Sequence, residues 1–269
     1  MSKPFWIIEN FVKEKSFKEL ADAVKSAGFP LLELNGDYQR KMLDDVPAGC
    51  VICNGSIQMV REIKDYLSEF VYPGAYCTFE NFECSKYYSY IGGDLFNDKY
   101  ALVPLSELAR NKFFFYSIFG KEALIFIRPN SGDKLFQAQL LDLIDFDRFV
   151  ELNKKFLHEL VLVSTPKTIT WEGRFVVSRE EIIAHSTYMF QGQITKIPSV
   201  PEDAKKFVKK ILSLGYYPDP VFCIDVCQDK DGDFWLLELT SFSSAGLYEC
   251  DKKKIVEKVS EIALKDYNR

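Results

Sequence analysis

The sequence predicts an α/β unit followed by an α+β unit. Strand–helix alternation fills roughly the first 100 residues, which implies a parallel sheet with helices against it. Mixed strands with few helices follow, which implies antiparallel pairing covered on one side. The chain has 269 residues, 47 % hydrophobic and 15 % aromatic, enough to bury a sizeable core in each of two units.

Phe5-Trp6-Ile7-Ile8 is a short apolar run that reads as the first strand. Ser16-Phe17-Lys18-Glu19 has the capping-box spacing, Leu20, Ala21 and Val24 continue an apolar face, and Gly28 stops the helix. Pro30 to Leu34 and Cys50 to Cys53 are the next strands. Asn54-Gly55-Ser56 then leads into a helix with Ile57, Val60, Ile63 and Leu67 on one side. The aromatic region from Tyr76 to Asn111 has no clear period, and Gly92-Gly93 reads as a turn. A boundary near Pro104 divides the chain into 1–104 and 105–269.

Beyond it, Ala123 to Ile127 is a buried strand, Phe146 to Leu157 has helical spacing, and Val161-Leu162-Val163 is a strand. Thr170 to Val177 and Ile182 to Ala184 follow as strands. Ser199-Val200-Pro201-Glu202 is a second capping box. Two strands flank Asp231-Gly232, and a closing helix carries Ile255, Val259 and Ile262.

Several function classes are disfavoured. The net charge of -5 opposes a general nucleic-acid or membrane-surface binder. No apolar run reaches the ~18 residues of a membrane helix. Met1-Ser2-Lys3-Pro4-Phe5-Trp6 has no secretory pattern, so the cytoplasm is expected. Seven cysteines without scaffold spacing suit reduced thiols, and Cys50 and Cys53 read as buried thiols on a strand rather than a zinc or redox pair. Two histidines exclude a metal site built from three.

The sharpest feature is a hairpin. Val221 to Cys227 and Phe234 to Leu239 are strand-like, and Asp231-Gly232 lies between them. If Asp231-Gly232 is a two-residue turn, Lys230 pairs with Asp233, and counting back sets Asp225 opposite Glu238. Opposed residues share a face with β-carbons ~5 Å apart. Two carboxylates so placed repel, and something must neutralise them. Either lysine or arginine pairs with them, or they hold a divalent ion such as Mg²⁺, which takes one or two carboxylates plus substrate phosphates. Thr240 lies on the same face as Glu238 and adds a hydroxyl.

Basic residues precede the hairpin. Arg128 ends an apolar strand and leads into Pro129-Asn130-Ser131-Gly132-Asp133-Lys134, which fits either a solvated turn or a phosphate loop with a cation at each end. Alternation puts Glu172 and Arg174 on one face of their strand, where Arg174 either pairs with Glu172 or faces a phosphate. Lys167 is open in the same way.

In this order, Ile127 to Lys134, Glu172 to Val177, Val221 to Asp225, Leu237 to Thr240 and Ser244 to Tyr248 resemble the ATP-grasp superfamily. The match is closest to its arginine-for-lysine clade. The resemblance covers roughly the last 150 residues. It implies that 1–104 is a Rossmann-like, βαβ pre-ATP-grasp domain. It also implies that 105–269 is an ATP-grasp domain of two subdomains with ATP in the cleft between them. By resemblance, Arg128 and Lys134 contact the α- and β-phosphates, and Arg174 steadies the γ-phosphate and an acyl phosphate. Asp225 and Glu238 hold Mg²⁺, and Val161-Leu162-Val163 is the hinge whose backbone holds adenine. Lys167 and Glu172 point into the same cleft. One departure stands out: Thr240 occupies a position where the family commonly has asparagine.

The expected function is an ATP- and Mg²⁺-dependent ligase joining a small-molecule or peptide carboxylate to an amine through an acyl phosphate. An ATP-grasp kinase and a non-catalytic nucleotide-binding module are the alternatives. No triad or nucleophile elbow competes with this reading.

Overall fold

The computed structural model describes residues 3–10 and 15–269; Met1 and Ser2 of the N-terminal segment lie outside the described residues. The first unit alternates as expected: β1 (Phe5–Asn10), α1 (Lys15–Ser26), β2 (Leu31–Asn35), β3 (Gly49–Asn54), α2 (Ile57–Leu67) and β4 (Val71–Gly74). Its strands form a parallel sheet in the order β2-β1-β3-β4. Period two decides which helix covers which face. Trp6, Ile8 and Ile52 point toward α1, while Ile7, Val51 and Cys53 point toward α2. Each such side chain, fully buried, contributes about 1.5–3 kcal/mol. Ser56 caps α2, its hydroxyl accepting from Met59 N at 3.0 Å. Ser16 lies inside α1 instead of capping it, and Glu19 pairs with Lys15 at 2.5 Å.

The next elements are α3 (Cys84–Ile91), β5 (Tyr100–Pro104), α4 (Leu105–Arg110), α5 (Lys112–Phe119), β6 (Leu124–Pro129), β7 (Gln139–Asp142), α6 (Phe146–Leu152) and β8 (Leu160–Ser164). A second sheet, antiparallel throughout, runs β5-β8-β6-β7. The expected boundary at Pro104 is therefore misplaced, because β5 pairs with β8 from Tyr100 to Pro104 and belongs to this later sheet. The parallel sheet ends well before it, at Gly74. The helix expected over Phe146–Leu157 stops at Leu152 and passes into a 3₁₀ turn.

The third sheet, β11-β10-β9-β12-β13, is also antiparallel. It contains β9 (Ile169–Ser178), β10 (Ile182–Phe190), β11 (Gln193–Ile197), β12 (Val221–Asp229) and β13 (Phe234–Ser241), with α7 (Glu202–Ser213) before β12 and α8 (Lys252–Tyr267) last. Phe175, Val177, Phe222 and Ile224 face α7 and α3. Val176, Cys223 and Ala184, on the opposite face, join the core of α1 and α8. The capping box expected at Ser199 does not form: α7 starts after Pro201, and Ser199 instead gives its carbonyl to the Thr187 hydroxyl at 2.6 Å. All seven cysteines are buried and unpaired. No helix among the described residues is long and apolar enough to cross a membrane.

Candidate active site

The open part of the third sheet carries a row of charge. Arg174 on β9 lies opposite Asp225 on β12, and Asp225 lies opposite Glu238 on β13. The expected juxtaposition of the two acids is present, but a different turn produces it. The hairpin closes with Asp229 N donating to Asp233 O at 3.0 Å, so the loop is Lys230-Asp231-Gly232. Gly232 takes φ 92°, which costs a glycine nothing. Near the tip Gln228 pairs with Phe234 and Val226 with Leu236. Continued without interruption, that register would set Leu237 against Asp225. A bulge between Val226 and Asp225 absorbs Leu237 and restores Glu238 to the site face.

The acids do not face each other unneutralised. Arg174 is 5 % exposed and Asp225 1 %. The guanidinium donates to both Asp225 oxygens, Nε to Oδ1 at 2.8 Å and Nη2 to Oδ2 at 2.6 Å, and Nη1 donates to Gly246 O at 2.7 Å. Arg128 comes from β6 of the second sheet and donates to Glu238 Oε2 at 3.1 Å. The Arg174–Glu172 pairing left open by the sequence does not occur. Glu172 accepts instead from the Tyr188 hydroxyl at 2.6 Å.

The ionisation of the row follows from these contacts. Burial raises the Asp225 carboxyl above its ordinary value, against the pull of Arg174. Burial also acts upward on Glu238, but Arg128, Lys134 and Arg174 outweigh it and hold that carboxyl below its ordinary value. Burial raises Glu172, and the charges of Asp225 and Glu238 push the same way. Lys134 is exposed on the loop after β6, and its charge pulls downward on the Glu238 and Asp225 carboxyls.

Two expected contributors sit elsewhere. Val161, Leu162 and Val163 are the interior of β8, paired with β5 on one side and β6 on the other. Their backbone is committed to the sheet on both sides. The chain free of ladder pairing is the connection 165–168 between β8 and β9. Lys167, on that connection, donates to Phe96 O at 2.5 Å and pairs with Asp98, while lying 5.6 Å from the Trp235 ring centre. It is not part of the charged row.

Sequence reasoning gave no role to Tyr188. Its ring stacks on Tyr248 at 4.7 Å and 22°, and the Arg174 guanidinium lies 5.1 Å from the Tyr248 centre. No spacing rule points to this pair, since its members are far apart in the chain. Concavities of about 440 and 640 Å³ open around Arg179–Glu181, and no residue of the charged row lines either.

The row offers hard oxygen donors. Among the described residues no three His, Cys, Asp or Glu side chains are grouped to hold a metal by themselves. Asp225 and Glu238 supply two carboxylates, and Thr240 supplies an orphan: its hydroxyl oxygen is buried with no hydrogen-bond partner. A buried hydroxyl without a partner is costly, and an added ligand would satisfy it. Two carboxylates and a hydroxyl fit Mg²⁺ when substrate phosphates complete its shell.

Three sheets with a paired-carboxylate row between two arginine-bearing strands define the ATP-grasp class. The sequence model of the ATP-grasp domain, family 3 of the arginine-for-lysine clade, matches residues 87–259, and the chain belongs to that family. Among solved structures it is similar to D-alanine–D-alanine ligase from Bacillus anthracis, at 12 % identity and TM-score 0.61, covering 100 % of this chain and 99 % of that one. D-cycloserine synthetase DcsG matches at 11 % and TM-score 0.61, over 96 % and 99 %. The ATP-grasp ligase PsnB, complexed with minimal precursor, matches at 11 % and 0.56, over 100 % of both chains. At these identities the likeness is one of fold. No curated protein sequence matches the chain.

Proposed function

We propose that this protein is an ATP- and Mg²⁺-dependent ligase that joins a carboxylate to an amine. One observation carries the reading: Arg174, Asp225 and Glu238 share one face, with Arg128 entering from the neighbouring sheet and the unpartnered Thr240 hydroxyl on the same strand as Glu238. The cations recruit polyphosphate, and the oxygen donors recruit the divalent ion that accompanies it. Proteins of this fold named as ligases are consistent with it.

In this reading Asp225, Glu238 and Thr240 hold Mg²⁺, which neutralises charge on the bound polyphosphate. Arg128 and Lys134 bind the α- and β-phosphates. The purine lies along 165–168, near Lys167. Arg174 orients the γ-phosphoryl group. A substrate carboxylate oxygen attacks the γ-phosphorus and ADP leaves, giving an acyl phosphate. The amine nitrogen then attacks the acyl carbon, phosphate leaves, and the nitrogen loses a proton. The protein contributes position and charge rather than a nucleophile. The resident arginine–acid pairs keep the row neutral until phosphate and metal replace them as partners.

The test has two parts. MgATP at ~100 times its dissociation constant should stabilise the fold by ~2.7 kcal/mol. Sustained ADP release, beyond the single equivalent formed with the acyl phosphate, should then require both an acid and an amine from a substrate panel. Release with a hydroxyl acceptor and no amine would make the protein a kinase. No thermal shift with millimolar MgATP would refute the nucleotide site itself.

A further inference from the structure

The loop that carries Lys134 is gripped from outside its own sheet. Asn130 fastens it to the start of α3, accepting from Ser85 N at its side-chain oxygen (2.8 Å) and from Cys84 N at its carbonyl (3.0 Å). Gly132 presses on the 3₁₀ turn Phe79–Phe82, where a β-carbon would stand 2.8 Å from Phe82 Cβ and 3.2 Å from the Phe79 carbonyl oxygen. The third hold comes from the N-terminal unit. Arg61 on α2 pairs with Asp133, Nη2 to Oδ2 at 2.6 Å. Arg61 and its neighbour Lys64 also lie over the Phe79 ring, at 5.5 and 5.4 Å from its centre.

Asp133 depends on this contact. Its second oxygen, Oδ1, is buried with no hydrogen-bond partner, so Arg61 is its only ion-pair partner among the described residues. The next residue, Lys134, adopts a left-handed φ of 51°, a conformation a lysine holds only when its surroundings impose it. Its positive charge pulls downward on the carboxyls of Glu238 and Asp225.

We propose that Arg61 is a positioning residue for the phosphate site, acting through Asp133 to hold Lys134 toward the acidic row. The inference rests on the reading of Lys134 as a phosphate contact. Arg61 itself is half exposed and turned to Asp133, so it acts on nucleotide only through the loop. Without it, a mostly buried carboxylate has no cation, and the loop opens to hydrate it.

The experiment is calorimetric titration of MgATP into wild type, Arg61→Ala, Arg61→Lys, Lys134→Ala and the Arg61→Ala/Lys134→Ala double variant, with unliganded melting temperatures beside them. Arg61→Ala should raise the dissociation constant about five-fold, the scale of one partly exposed ion pair. Arg61→Lys should restore most of the loss. In the Lys134→Ala background Arg61→Ala should add nothing, a coupling that a merely structural role would not produce. Equal losses in both backgrounds, or wild-type affinity in Arg61→Ala, would overturn the inference while leaving the nucleotide site intact. Failure of wild type to bind MgATP would overturn the phosphate-site reading and this inference with it.

Discussion

Changing Asp225 to asparagine should weaken the unliganded fold, and the size of the loss follows from the Arg174 contact. The carboxylate is 1 % exposed, its partner 5 %, and both oxygens accept from the guanidinium at 2.8 and 2.6 Å. Removing one partner of a buried ion pair costs about 3–5 kcal/mol, because the other charge stays buried. Asparagine keeps one acceptor oxygen, so the low end applies, about 3 kcal/mol. At roughly 2–4 °C per kcal/mol for a chain of this size, the melting temperature should fall by about 6–12 °C. Glu238→Gln should cost at most about 1 kcal/mol, since that pair is more exposed, has a single 3.1 Å bond, and glutamine can still accept it. Both variants should lose the stabilisation given by MgATP. Of the two readings the sequence leaves open, a bare metal-binding pair would instead gain slightly in stability from either change, whereas a pair held by lysine or arginine would lose it. Urea unfolding of the three proteins, with and without MgATP, decides the matter. Wild-type stability of unliganded Asp225→Asn would refute the ion-pair argument. Undiminished MgATP stabilisation in both variants would refute the metal site.

Two further outcomes are expected. Thr240→Val removes a buried hydroxyl that has no partner, so the unliganded protein should be as stable as wild type or more so, while Mg²⁺-dependent ATP affinity falls; a loss of unliganded stability above about 1 kcal/mol would contradict the orphan assignment. Asp219 is buried beneath Thr78, from whose N and Oγ1 it accepts at 3.0 and 2.7 Å, and burial pushes its carboxyl up to about 6 from 3.8. A raised acid binds its proton more tightly in the folded state, so its contribution is full below about 3.8 and is lost as pH rises through about 6. The stability of Asp219→Asn relative to wild type should therefore climb across that window, by up to about 3 kcal/mol, and level above it; parallel urea-unfolding profiles between pH 4 and 8 would rule this out.

Much of this was legible in the residues because local rules governed it. The parallel unit announced itself by strand–helix alternation, and Trp6, Ile7 and Ile8 divided between its faces as period two requires. The Asp225–Glu238 pairing was legible too, although through a turn that does not exist. A one-residue longer tip and a one-residue bulge offset each other, and no propensity marks Leu237 as the residue a bulge absorbs. What stayed hidden was long-range. The partners of the acids lie 51 and 110 residues away, on other strands, and pairing over such distances is set by packing between sheets. The same holds for Val161–Val163, whose apolar run looks alike whether a strand is at an edge or flanked on both sides.

The bulge has a consequence for how this hairpin can vary. It resets the phase of β13 between the tip and the acidic row, so the row does not inherit its alignment from the loop. Lys230, Asp231 and Gly232 are exposed, and the Gln228–Phe234 to Val226–Leu236 ladder lies between them and the row. An insertion at the tip lengthens a surface excursion at little entropic cost and leaves Glu238 where it was. The same insertion between Leu236 and Glu238 would turn the glutamate to the opposite face, covered by α7 and α3. The hairpin thus has one tolerant end, suited to an inserted epitope or fluorophore, and one intolerant end, separated by the short ladder from Phe234 to Leu236.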